Sequence, residues 1–200
     1  MQYVVDPAEL ATIVLPVAGA PLPGDVVADP MLLVCTHGRR DRCCAVDGRA
    51  LARAVVETGE PDVWESTHLG GHRFAPTALV LPTGYVYGRL DVAGAIAARK
   101  AASVGEAETA LCRGRSTWST AGQVAELAVR AATGLRDADA LWVDSPAEPD
   151  ASDVVVTASD GRRGAVTVRS TACPGNRPVS CGAAALPVTA LHAAGVRGLT

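Results

Sequence analysis

Between Met31 and Ser103 short apolar runs alternate with helical faces, and this order narrows the fold more than any other feature. Met31-Leu32-Leu33-Val34 suits a buried strand that ends at Cys35, followed by the polar loop Thr36 to Asp41. Gly48 to Gly59 reads as a helix, with Leu51, Ala52, Ala54 and Val55 as its apolar side and Gly59 as its stop. Asp62 to Ser66 reads as a second strand. Thr77 to Leu81 and Tyr85 to Gly88 flank Pro82-Thr83-Gly84, a hairpin signature. Asp91 to Ser103 is an alanine-rich helix with Asp91 as its N-cap.

Strand, helix, strand, strand, strand, helix is the thioredoxin-like order. Beyond residue 104 the pattern restarts. Thr120 to Thr133 reads as a helix with Val124, Leu127, Ala128 and Ala131 on one face. Leu141 to Asp144, Val154 to Ala158 and Ala165 to Arg169 read as strands, the last two joined by an Asp160-Gly161 turn. Leu186 to Leu191 suits a fourth strand, and Ser145 to Ser152, with two prolines, a loop. The expected fold is mixed α/β (α+β). Residues 1–30 form an N-terminal arm, 31–104 a thioredoxin-like domain and 105–200 a smaller C-terminal α+β extension. The arm is rich in Val, Ala and Pro and suits an edge strand plus linker.

With 48 % apolar residues in a chain of 200, there is material for a core, so a disordered chain is excluded. Aromatics make up only 4 %, so that core is built from Ala, Val and Leu. A net charge of −3 argues against sequence-independent nucleic-acid binding, which needs a basic footprint. No run of ~18 apolar residues suggests a membrane span. Met1 to Glu9 carries Asp6 and Glu9 without a basic segment, unlike a signal peptide. The expected location is cytoplasmic. In a reducing compartment the six cysteines read as metal ligands, catalytic groups or buried apolar residues rather than disulfides.

Three of the six cysteines and three of the four histidines fall between positions 35 and 72. The first cluster is Cys35-Thr36-His37-Gly38-Arg39-Arg40-Asp41-Arg42-Cys43-Cys44, the second His68-Leu69-Gly70-Gly71-His72-Arg73-Phe74. Both begin where a strand gives way to a loop, a common place for binding sites. The paired glycines argue against a helix carrying His68 and His72, and they let the backbone fold closely around a bulky centre. Two plain loop histidines are the simpler alternative. Neighbouring cysteines diverge, so one of Cys43 and Cys44 reads as a ligand and the other as a packed thiol. A Cys2His2 set suits zinc, a two-iron cluster, or a catalytic thiol with a histidine base. His192, alone in an apolar stretch, reads as structural.

The string C-T-H-G-R-R-D-R-C-C, then H-L-G-G-H-R-F-A-P-T-A-L-V-L-P-T-G-Y-V-Y-G-R-L, closely resembles the sucrase/ferredoxin-like family of thioredoxin-like [2Fe–2S] proteins. The resemblance is dense from Leu33 to Leu90 and looser to Arg130, through C-R-G-R-S-T-W. It implies a bis-histidine branch in which H-x3-H, here His68 and His72, replaces a second cysteine pair. The implied ligands are Cys35, Cys44, His68 and His72. Relatives with a single cysteine there read R-D-x-x-C, which aligns on Cys44, with Cys43 as the alternative. The implied function is one-electron transfer between redox donor and acceptor proteins that the sequence does not name.

The chain departs from its relatives in a short N-terminus and in Thr117, where some carry a second cysteine. It keeps both histidines of H-x3-H. Imidazole ligands leave less negative charge on a cluster than thiolates do, which raises its potential, and their second nitrogen can couple electron transfer to a proton. Arg39, Arg40, Arg42 and Arg73 are either a docking patch for an acidic redox partner or charges balanced by Asp41 and Glu65. His37 is expected outside the ligand set. Cys112, Cys173 and Cys181 lie outside the motif, with Cys173 and Cys181 a candidate second metal or redox pair. A glycosidase needs two carboxylates flanking a sugar cleft; Asp41, Asp47, Glu57 and Glu65 show no such arrangement, so sucrase chemistry is not expected. The competing function is a structural Cys2His2 zinc domain without a redox role.

Overall fold

The computed structural model describes residues 29–39, 41–144, 153–178 and 180–199. The expected arm up to residue 28, Arg40 and the loop 145–152 lie outside them. The first half is built on β1 (Met31–Cys35), α1 (Arg49–Glu57), β2 (Val63–Ser66), β3 (Thr77–Leu81), β4 (Tyr85–Gly88) and α2 (Val92–Ser103). Its sheet runs β2-β1-β3-β4, with β1 and β2 parallel and β3 and β4 antiparallel to their neighbours. This is the thioredoxin-like arrangement. Its core is aliphatic apart from Tyr85 and Tyr87: Leu32, Val34, Val55 and Val80 are at most 1 % exposed. Asp91 caps α2, its carboxylate accepting from the Gly94 N–H at 2.7 Å.

Two features depart from the expected pattern. Helical backbone begins at Arg42, and a π-helical turn, Cys44–Gly48, leads into α1. The sheet also takes a fifth strand from beyond residue 104, β5 (Cys112–Arg115), paired with β4. Its Cys-Arg-Gly-Arg sequence has no alternation of apolar and polar residues, so periodicity does not mark it.

The second half packs α3 (Thr120–Thr133) against an antiparallel sheet in the order β6-β7-β8-β9. These strands are β6 (Leu141–Asp144), β7 (Asp153–Ala158), β8 (Arg163–Pro178) and β9 (Ala185–Gly198). Val154, Val156 and Val166 point into its core with no exposed surface. The last two strands are far longer than their apolar runs suggest. Beyond Arg169, β8 is mostly solvent-exposed and is held by its pairing with β9. The two form an arm that reaches back to the first half, where Cys173, Arg177 and Pro178 line a groove with Arg73, Phe74 and Arg89.

A buried polar network joins the halves. Arg130 and Glu126 on α3 are fully buried and pair at 3.1 Å. Arg130 also donates to the Tyr85 hydroxyl at 2.7 Å and to the carbonyls of Leu135, Asp137 and Ala138. Tyr85 in turn donates to Glu126.

Candidate metal centre

Parallel pairing puts the carboxyl ends of β1 and β2 side by side, with Cys35 opposite Ser66. The chain continues in register for one more residue, where the Thr36 N–H donates to the Ser66 carbonyl at 3.1 Å. Cys35 therefore lies at one strand end and His68 two residues past the other. The π turn supplies the next residue. Gly48 packs on the end of β1 so closely that a Cβ there would sit 2.0 Å from the Cys35 carbonyl oxygen. Only glycine admits this approach, and it brings the turn carrying Cys44 under Cys35. The ligand atoms of Cys35, Cys44 and His68 lie within 4.8 Å of one another.

His72 comes in through the glycine pair. Gly70 and Gly71 have φ of 85° and 67°, left-handed values that reverse the chain between the histidines. A 3-10 turn, His72–Phe74, follows. The rings of His68 and His72 stack with centroids 6.3 Å apart. His68, His72 and Asp41 form a second set with ligand atoms within 4.8 Å. His37 packs edge-on to His68, outside both sets.

Two nitrogens are conspicuous. His68 Nδ1 and His72 Nε2 are buried and have no hydrogen-bond partner. Leaving such an atom unpaired costs about 1–3 kcal/mol, so the pair is consistent with a site completed by something other than the described chain. Beside them, Cys35 and Cys44 are wholly buried. Burial, then the neighbouring Cys35 thiol, pushes the Cys44 thiol up to about 12. At neutral pH it keeps its proton until a cation displaces it.

Asp41 is the residue whose role the sequence does not disclose. It is 1 % exposed. Its Oδ2 lies 3.1 Å from His72 Nδ1, within ion-pair range but without the alignment of a full hydrogen bond. Its Oδ1 accepts from the Cys181 N–H at 2.9 Å. Asp41 therefore does not balance the neighbouring arginines, and Glu65 faces Arg49 instead. Arg39, Arg42 and Arg73 are exposed, with no carboxylate partner among the described residues. Arg73, Arg89 and Arg113 gather around the Phe74 ring. Desolvation, then the two neighbouring guanidiniums, lowers the Arg113 pKa.

The remaining cysteines part company. Cys43 groups with Asp41 and Cys181: its thiol donates to the His72 carbonyl at 3.3 Å, and its sulfur lies 3.3 Å from that of Cys181. Cys112 is packed near Tyr87, and burial pushes its thiol up to about 12. Cys173 lies in the groove against Phe74. His192, on β9, contacts the Thr171 hydroxyl at 3.2 Å. No helix among the described residues is long and apolar enough to cross a membrane.

The family model described as sucrase/ferredoxin-like matches residues 3–97. No curated protein matches the chain. Among solved structures it is similar to a thioredoxin-like [2Fe–2S] ferredoxin from Aquifex aeolicus, at 18 % identity. That match covers 44 % of this chain and 93 % of the other, with a TM-score of 0.37. A variant of the same ferredoxin with one cysteine replaced by serine matches at 18 % identity over 43 % and 99 %, with a TM-score of 0.36.

Proposed function

Residues 3–97 belong to the sucrase/ferredoxin-like family, and on that premise we infer that the protein is a one-electron carrier whose [2Fe–2S] cluster is held by Cys35, Cys44, His68 and His72. The observation that carries this reading is the pair of buried, unpartnered nitrogens, His68 Nδ1 and His72 Nε2, beside two buried thiols. The donor set fits the group: two soft sulfurs and two imidazoles, as in other mixed two-iron sites. A bound cluster of this kind takes up and releases one electron. The rest of the chemistry belongs to the side chains. Burial of Cys35 and Cys44 keeps water from the sulfurs. Asp41 Oδ2 lies 3.1 Å from His72 Nδ1, and a carboxylate placed there favours a proton on Nδ1 and Nε2 as the donor atom. Cys44 is favoured over Cys43 because Cys44 is the one grouped with Cys35 and His68.

Imidazole ligands would couple electron uptake to a proton, and where one proton accompanies each electron voltammetry should show a fall of ~59 mV per pH unit. The exposed Arg39, Arg42 and Arg73 form a basic rim suited to acidic redox donor and acceptor proteins. Ionic strength should therefore slow transfer to such partners.

The test is composition. After anaerobic purification and reconstitution with iron and sulfide, the protein should be red-brown and hold about two irons and two sulfides per chain, the two-iron stoichiometry. Stoichiometric zinc without iron would favour the structural Cys2His2 zinc domain.

A further inference from the structure

We propose that Cys43 and Cys181 are a redox modification site, a thiol pair that a low-molecular-weight disulfide oxidises to a reversible cross-link, latching the tip of the β8–β9 arm over His72. The two sulfurs are 3.3 Å apart although 138 positions separate them in sequence. That contact is held from both sides. The Cys181 N–H donates to Asp41 Oδ1 at 2.9 Å, which fixes the arm tip beside the π turn. The Cys43 thiol is anchored on the His72 carbonyl. None of the other four cysteines is exposed. Cys35 and Cys44 face each other in the proposed cluster site, Cys112 is packed near Tyr87, and Cys173 lies in the groove against Phe74.

Access suits an exchange reaction. Cys181 is exposed and Cys43 half-buried. Both line a small open groove of about 210 Å³ with Asp47, His72 and Arg73. The Cys181 sulfur attacks one sulfur of the reagent RS–SR, breaking that bond, forming a mixed disulfide and releasing one RSH. The Cys43 sulfur then attacks the Cys181 sulfur, forming the Cys43–Cys181 bond and releasing the second RSH. Two electrons pass from the pair to the reagent, and the two thiol protons leave on the released thiols. In a reducing compartment such a bond is transient, as expected of a sensor and not of a structural staple.

The consequence is local. The cross-link ties the arm tip to the residue next to Cys44 and across the open side of His72, and it removes Cys43 as a competing ligand. This last part rests on the proposed cluster; the cross-link itself does not. The full chain, in iron-loaded and chelator-stripped forms, is incubated without oxygen in oxidised glutathione, and free thiols are counted in denaturant. The stripped wild type should fall from six thiols to four and lose two hydrogens by mass, both reversed by dithiothreitol. Cys173→Ser and Cys112→Ser should also lose two thiols. Cys43→Ser and Cys181→Ser should gain a glutathione adduct and no internal cross-link. Six thiols remaining in the wild type, or a cross-link persisting in Cys43→Ser, overturns the proposal. In the iron-loaded form, iron loss to a chelator should slow by roughly ten-fold on oxidation as local opening is suppressed; an unchanged rate overturns the latch over His72. If no iron loads, the thiol count still decides the cross-link, and only the cluster assignment fails.

Discussion

Around Arg130 nearly every buried polar atom has a partner, whereas around His72 two buried ring nitrogens have none. Arg130 spends its guanidinium on Glu126, Tyr85 and three carbonyls, and Glu126 Oε2 is the one atom of that carboxylate left over. The chain closes this network by itself, as buried charge requires. At the other cluster His68 belongs to two overlapping sets, one with Cys35 and Cys44 and one with Asp41 and His72, and buried nitrogens of both histidines have no partner among the described residues. One cluster joins two halves of a fold. The other is finished by a ligand from outside, on the reading proposed above.

Substitutions should separate the two. The largest effect is expected at the closed network. Arg130→Met leaves the Glu126 carboxylate buried without a counter-charge, which should lower stability by about 3–5 kcal/mol in urea unfolding. Adding Glu126→Leu should recover most of that loss. A single-variant cost below 1 kcal/mol would end the claim that this pair ties the halves. Next is Gly48→Ala, whose Cβ would lie 2.0 Å from the Cys35 carbonyl oxygen. The turn must shift, at about 1–3 kcal/mol, and iron uptake should fall because Cys44 moves with it. Unimpaired uptake would mean that this close approach does not position the site.

Cys112 gives a pH signature outside both clusters. Burial raises its thiol to about 12 in the folded state, above its ordinary value near 9. The folded form then binds the proton more tightly than the unfolded form. Its stabilisation is complete below pH 9 and is lost between pH 9 and 12, at about 1.4 kcal/mol per pH unit. Cys112→Ala should flatten that part of the alkaline decline; an unchanged slope would place its source elsewhere. The smallest effect is expected at the open cluster. His68 Nδ1 has no partner to lose, so His68→Ala should change metal-free stability by less than about 1 kcal/mol. The same variant should fail to hold iron. A large loss of metal-free stability would make His68 a structural residue.

Where the sequence is informative, the signal is local. Thr77 to Leu81, Tyr85 to Gly88 and Thr120 to Thr133 form the expected elements, because apolar periodicity and a Pro-Thr-Gly turn mark their bounds. Cys35, Cys44, His68 and His72 stand out for a related reason: ligand-type residues crowd into two short strings. What escapes is set by distant contacts. The β8–β9 arm holds its strands by pairing, with little apolar surface buried, and contains Pro174, Gly175 and Pro187. Its tip meets Asp41 and Cys43 across about 140 positions, as the Cys181 contacts show, and nothing near either residue announces the other. Arg42 enters a helix early because Gly48, which reads as a helix start, instead sits at the end of a π turn packed on β1.

The central claim is that Cys35 and Cys44 serve one iron and His68 and His72 the other. Mössbauer spectroscopy of the oxidised, iron-57-loaded wild type measures this directly, because an iron bound by two nitrogens differs from one bound only by sulfur. Two doublets of equal area with different isomer shifts are predicted, collapsing to a matched pair when His68 and His72 are both replaced by cysteine. Matched irons in the wild type, or a signal that the double replacement leaves unchanged, would contradict it.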